Sequence, residues 1–271
     1  MKGVRVITLL TLLFSIALLP SFLSSSAYSS VELEASWSSN AYAPTEKANT
    51  QELSLALNTA LALNKYTHLL KLEASRTITD AYSAVSVSDG AYIVARPFWQ
   101  YQELLSISGG SSITLPLSSK SRFNDSLLTK AALFTSLKLT LFHSLLKNIE
   151  ISYTPAIGKY FYKYATTREG KSNPGHALEN TLSLKESPTE RLSFTLLFAA
   201  VSKWSEQGKT LAPSYAFKQE VTYNFPTREV TLTLGHSQVD KLYKGPTANE
   251  LHIQLHDPYA SNFYFSLAKV F

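Results

Sequence analysis

A histidine beside a serine is the first place to look for chemistry, and the chain has one at Gly235-His236-Ser237-Gln238. A nucleophile and its base must meet on one face within hydrogen-bond reach. Adjacent residues of an extended chain point to opposite faces, so His236 and Ser237 do not meet there. The stretch KSNPGH, Lys171 to His176, is rich in turn formers and lacks the His-x-Ser spacing as well. Proteolysis would need paired carboxylates with an Asp/His pair, and Asp80, Asp89, Asp240 and Asp257 are scattered. His68, His143 and His176 are dispersed too. His252 and His256 share a face if their segment is a strand, but stand about 13 Å apart along it, too far for one metal ion. The chain has neither a Gly-rich phosphate loop nor a dinucleotide fingerprint. These residues assign no catalytic group, no metal ligand and no cofactor.

What the side chains do share is a rhythm of two. In ERLSFTLLFAAVSKW, Leu192, Phe194, Leu196, Phe198, Ala200 and Trp204 fall on one face, and Arg191, Ser193, Thr195 and Lys203 on the other. SYAFKQEVTYNF sets Tyr215, Phe217, Val221, Tyr223 and Phe225 against Ser214, Lys218, Glu220, Thr222 and Asn224. QELSLALNTALALN sets Leu53, Leu55, Leu57, Leu61 and Leu63 against Glu52, Ser54, Ala56 and Asn58. A period of two means β-strands with one apolar face. Runs of about 9 to 13 residues exceed the 5–6 usual in soluble sheets and match the roughly 9–11 that a tilted strand needs to cross a bilayer.

The front of the chain has a different pattern. Lys2 and Arg5 precede an apolar run from Val6 to Leu19, Pro20 interrupts it, and Ser25-Ser26-Ala27 supplies small residues. This reads as a secretory signal peptide over 1–27, cut after Ala27, leaving 28–271 as one domain. The run is short of the roughly 20 apolar residues that a membrane helix needs, and no later run approaches that length. Hydrophobic residues are nonetheless 45% of the chain and aromatics 12%. An exported chain this apolar must turn those groups to a core or to lipid. The absence of cysteine excludes a lipid-modified N-terminal Cys, disulfides and thiolate metal sites. The formal charge of +5 falls to +3 without Lys2 and Arg5, too mild an excess to imply nucleic acid.

The last ten residues, NFYFSLAKVF, place Phe263, Phe265, Leu267 and Phe271 in the same rhythm. This ending resembles the last strand of bacterial outer-membrane β-barrel proteins. The resemblance implies an all-β fold, a transmembrane antiparallel up-and-down barrel of about 12 strands in the cell outer membrane. It also implies that Phe263, Phe265, Leu267 and Phe271 form the signal read by the barrel assembly machinery, and that the last strand pairs with the first. Lipid and lipopolysaccharide would surround the wall. Lys269 departs from the pattern where an outward apolar residue is expected, and can snorkel to headgroups. Lipid offers no partner for backbone N–H and C=O, so only a closed sheet can span as β-structure.

Working back from Phe271, the rhythm places strands near 261–271, 228–238, 214–226, 190–204, 175–187, 147–165, 129–145, 103–117, 91–101, 68–80, 51–64 and 31–38. Tight turns are expected at 226–227, 187–189, Leu146 and NKYTH. Longer connections are expected at 239–260, 205–213, 166–174, 81–90 and 39–50, alternating with the tight ones as barrel loops do. The segment 239–260 is expected to form an extracellular hairpin that extends the wall. Pro155 is expected to force a bulge or strand end, and Trp37, Tyr153, Trp204, Tyr215, Phe225 and Phe263 to form interfacial girdles.

The inward faces then carry Glu32, Glu34, Glu52, Lys71, Glu73 and Glu179, together with Lys138, Glu150, Lys185, Arg191, Lys203, Lys218, Glu220 and Glu229. The last eight are the candidate lumen-lining set. Twelve strands enclose more space than the roughly eight-stranded case that side chains fill. Mixed signs argue against strong ion preference, because a selective filter concentrates one sign. By analogy with small twelve-stranded barrels that conduct oligosaccharides, acidic sugars or nucleosides, the leading expectation is a passive porin-like channel for small polar solutes, weakly charge-selective and without cofactor. Two alternatives stay open: a non-conducting barrel serving structure or surface recognition, and an outer-membrane hydrolase. Outer-membrane phospholipase A, a twelve-stranded barrel of similar length, carries a His/Ser/Asn site on its outer face, which neither GHSQ nor KSNPGH reproduces.

Overall fold

The computed structural model describes residues 28–40, 42, 49–79, 85–141, 148–241, 243–244, 250–251, 253 and 260–271. The expected signal peptide, the turn at Leu146, and His143, His252, His256, Asp80 and Asp257 lie outside them. The strands are β1 (Tyr28–Asn40), β2 (Gln51–Leu63), β3 (Tyr66–Thr77), β4 (Ser86–Val87), β5 (Gly90–Tyr101), β6 (Leu105–Leu115), β7 (Leu127–Leu141) and β8 (Asn148–Tyr162). They continue with β9 (Pro174–Ser187), β10 (Leu192–Ser205), β11 (Thr210–Phe225), β12 (Val230–Lys241), β13 (Tyr243–Lys244), β14 (Glu250–Leu251) and β15 (Ser261–Val270). Each long strand pairs antiparallel with its neighbours in chain order, and β15 pairs with β1. The wall is therefore a closed antiparallel up-and-down barrel of twelve strands, the architecture expected.

Wall strands run from 10 residues in β15 to 16 in β11. At the seam Trp37 stands opposite Phe265 and Ala35 opposite Leu267. Phe271 extends the closure, its N–H donating to the Val31 carbonyl at 2.8 Å while Val31 donates to the Phe271 carbonyl at 3.3 Å. Both described chain ends lie at one end of the barrel, with the short turns 64–65, 102–104, 188–191 and 226–229. We call this the terminal end and the opposite one the loop end. β13 and β14 pair with each other within the connection from β12 to β15, but as a two-stranded sheet of their own and not as the extension of the wall expected for that segment.

Three expectations about strands and turns change. The connection expected at 205–213 is a four-residue turn. Gly208 adopts φ 78, and the Ser205 N–H donates to the Lys209 carbonyl at 2.9 Å. β11 starts before Pro213 because its register with β10 shifts between Val201 and Lys203, which leaves the proline in an irregularity. Pro155 neither ends β8 nor shifts its register. The backbone pairing with β7 lapses between Phe134–Ala156 and Leu137–Tyr153, where the Thr154 hydroxyl donates to Ser136 Oγ at 3.0 Å instead. Arg191 and Glu229 fall in turns and not in strands. Glu229 has φ 52, the left-handed conformation that closes the turn after β11.

The packing is inside out. Among the described residues the buried apolar side chains are few, Leu57, Leu127 and Tyr215 the largest of them. Large apolar groups cover the outside: Leu133 is 64% exposed and Ile157 61%. Aromatics collect at the terminal end, with Tyr66 opening β3, Trp99 and Tyr101 closing β5 and Phe225 closing β11. Tyr215 differs from the girdle expectation: it is 1% exposed, and its hydroxyl accepts from Gln238 Nε2 at 2.9 Å.

Candidate functional site

The lumen is built from the alternate residues that the pleat turns inward. Cross-strand partners share a face, so one inward row runs Tyr264, Gly235, Glu220, Thr195, Lys185, Glu150 and Thr140. A second runs Asn262, Ser237, Lys218, Leu197, Ser183, Ser152, Lys138 and Ser106. Small side chains (Ser, Thr, Asn and Gly) alternate in these rows with Lys and Glu. With strands about 4.8 Å apart and tilted by about 40°, twelve of them enclose a bore about 24 Å across between backbones.

The charged residues of the candidate set divide into pairs and singletons. Lys138 Nζ stands 2.5 Å from Glu150 Oε2, joining β7 to β8. Lys185 faces Glu150 across the next strand pair. Lys218 Nζ is 2.7 Å from Glu220 Oε1, two residues along β11. The Tyr264 hydroxyl donates to the same Glu220 oxygen at 2.7 Å, and Lys218 Nζ lies 5.3 Å from the Tyr264 ring centre. That ring lies across Gly235, where an added Cβ would come within 2.2 Å of it. Glycine there is a steric requirement of the tyrosine. Lys203 sits beside Ala177 in register, near the loop end of β10. Arg191 and Glu229 stand at the terminal rim. Glu32 accepts from Asn58 Nδ2 at 2.9 Å.

Sequence reasoning missed Lys130, Phe134 and Tyr264. Lys130 shares the parity of Lys138 on one strand, a signal that could have found it. Lys130, Phe134 and Glu179 border a lumenal cavity of about 210 Å³ between β5 and β9. His236 and Ser237 fall on opposite faces of the wall: His236 packs 5.1 Å from the Phe263 ring outside, and Ser237 faces Lys218 inside. His68 Nδ1 is 2.7 Å from the Tyr92 hydroxyl. Asp89 accepts from the Ser118 N–H at 2.9 Å and from the Ser121 hydroxyl, which ties the segment before β5 to the connection between β6 and β7.

The wall and its terminal segment can now be compared with known proteins. No protein-family model matches the sequence, and no curated protein matches it. Solved structures do. The COG4313 outer membrane channel from Pseudomonas putida F1 superposes with a TM-score of 0.60 at 11% identity, over 92% of this chain and 97% of that one. The NanC porin superposes with a TM-score of 0.51 at 11% identity, over 89% of this chain and 98% of that one. At such identity the likeness concerns the fold. The chain has the fold of bacterial outer-membrane β-barrels.

Proposed function

We propose that the protein is exported to the outer membrane and acts there as a passive channel for small polar solutes, with weak charge selectivity. The observation that carries this reading is the lining: a twelve-stranded bore whose inward rows alternate small side chains with Lys and Glu. Acidic and basic side chains both project into it, and four of them pair as Lys138–Glu150 and Lys218–Glu220. Two barrels of similar fold are described as a porin and an outer membrane channel, which supports the same reading. Such a lining hydrates a polar solute without committing to one sign of charge.

The outward apolar belt supports a lipid-facing wall, because exposing it to water would be unfavourable at about 25 cal/mol per Å². Phe263, Phe265 and Leu267 face outward on β15, and Phe271 is 63% exposed beyond it. Four such groups at the closing seam suit recognition by an assembly machinery before the seam forms. The direct test is liposome swelling with refolded protein in a small neutral polyol. Swelling that slows as the polyol grows supports a channel; swelling no faster than in protein-free liposomes removes it.

A further inference from the structure

The inward charges sort by wall. In the ring of twelve, β1, β2 and β3 stand six places from β8, β9 and β10. The first group points Glu32, Glu34, Glu52 and Glu73 into the lumen against a single Lys71. The opposite group, with adjoining β7, points Lys130, Lys138, Lys185 and Lys203 against Glu150 and Glu179. Lys138 already holds Glu150. Lys203 lies within electrostatic reach of Lys130 and Lys120, with Glu179 the nearby acid. Glu52, Glu73, Lys130 and Lys203 all lie in the loop-end halves of their strands. The acidic side chains gather on β1 to β3 and the basic ones on β7 to β10, with Lys203 on β10 six places from Glu73 on β3 and Lys130 on β7 four places from Glu52 on β2.

Charges that cancel around the lumen leave little preference for cations over anions. Charges that separate across it leave a field transverse to the direction of travel. A simple ion is attracted by one wall and repelled by the other. A molecule carrying both signs gains at both walls when it turns broadside. We infer that the favoured solutes are small zwitterions, crossing with the anionic group toward Lys130 and Lys203 and the cationic group toward Glu52 and Glu73. This rests on the channel reading and names its solute class. A solute charge about 6 Å from a net unit charge in a water-filled, salt-screened lumen gains roughly twofold in local concentration, so both ends together gain roughly fourfold.

The test compares swelling rates for γ-aminobutyrate, a zwitterion at neutral pH, and erythritol, a neutral polyol of similar size. The expected ratio is roughly fourfold after correction for free diffusion. It should fall toward one in Lys130→Gln/Lys203→Gln, and separately in Glu52→Gln/Glu73→Gln. Two doubles on opposite walls keep the test decisive if one of them folds poorly, and only preparations that migrate as folded barrels on unheated gels are scored. A ratio near one in the native protein, with erythritol crossing freely, overturns the zwitterion inference and leaves the channel intact. Loss of the ratio in the lysine double alone overturns it in favour of a plain anion site. Failure of erythritol itself to cross removes the channel, and the inference with it.

Discussion

Two arginines placed one residue apart should have opposite fates in this wall. Leu196 lies within β10 on the outer face, 44% exposed, with Leu184 and Gln219 beside it in register. Thr195 points the other way, between Lys185 and Glu220. Leu196→Arg puts a guanidinium into the apolar belt, which costs about 2–4 kcal/mol in barrel stability near the bilayer midplane. A loss of about 3 kcal/mol lowers the folded-to-unfolded ratio by roughly a hundredfold. Thr195→Arg lands in water beside one cation and one anion at similar spacing. Its net effect should stay within about 1 kcal/mol. Urea titration of barrels refolded in lipid vesicles, read as the fast-migrating fraction on unheated gels, measures both. Nitroxide labels at the same sites should be relaxed by lipid-dissolved oxygen at 196 and by a water-soluble paramagnet at 195. Equal losses from the two arginines, or reversed label accessibility, would refute the assignment of faces.

Gly235→Ala should cost about 1–3 kcal/mol by pushing the Tyr264 ring off its seat and breaking the bond to Glu220. In a Tyr264→Ala background that cost should largely vanish, and simple additivity in the double-mutant cycle would show that the ring does not rest there. Phe271→Asp keeps both backbone bonds to Val31 and replaces the aromatic group with a carboxylate. In cells it should lower the amount of assembled barrel far more than Ser266→Ala, and equal yields would show that the side chain carries no assembly signal. Lys138→Ala breaks a 2.5 Å contact to Glu150 between two partly exposed side chains, so its stability cost should be below about 1 kcal/mol. A shift of the reversal potential toward cation preference is the expected readout, and an unchanged potential would place Lys138 off the conduction path.

The alternation made the wall legible. Twelve strands and their faces follow from a period of two displayed locally along each run, whereas the pairing of last with first was implied by the resemblance of the ending to outer-membrane barrels. The expected strand 214–226 and the observed Thr210–Phe225 differ chiefly at the start, where Pro213 sits in a register shift that the rhythm does not encode. Pro155 looked like a break because it has no N–H to donate in a sheet where every donor should pair, whereas only the β7 side gives way and Ser136 with Thr154 bridges the gap. The site was less legible than the fold. That Glu220 faces inward is local information. That it meets Tyr264, two strands away over Gly235, depends on the stagger between strands. The division into an acidic and a basic wall likewise appears only once the ring is closed and opposite strands are known.

The central claim is an open, water-filled lumen inside a lipid-facing wall. Planar-bilayer recording of the purified, refolded barrel tests it most directly. The account predicts discrete current steps whose size rises in proportion to the conductivity of the bathing salt, with a reversal potential close to zero in a modest salt gradient. Bilayers that stay silent although folded barrel is present in the membrane would contradict it.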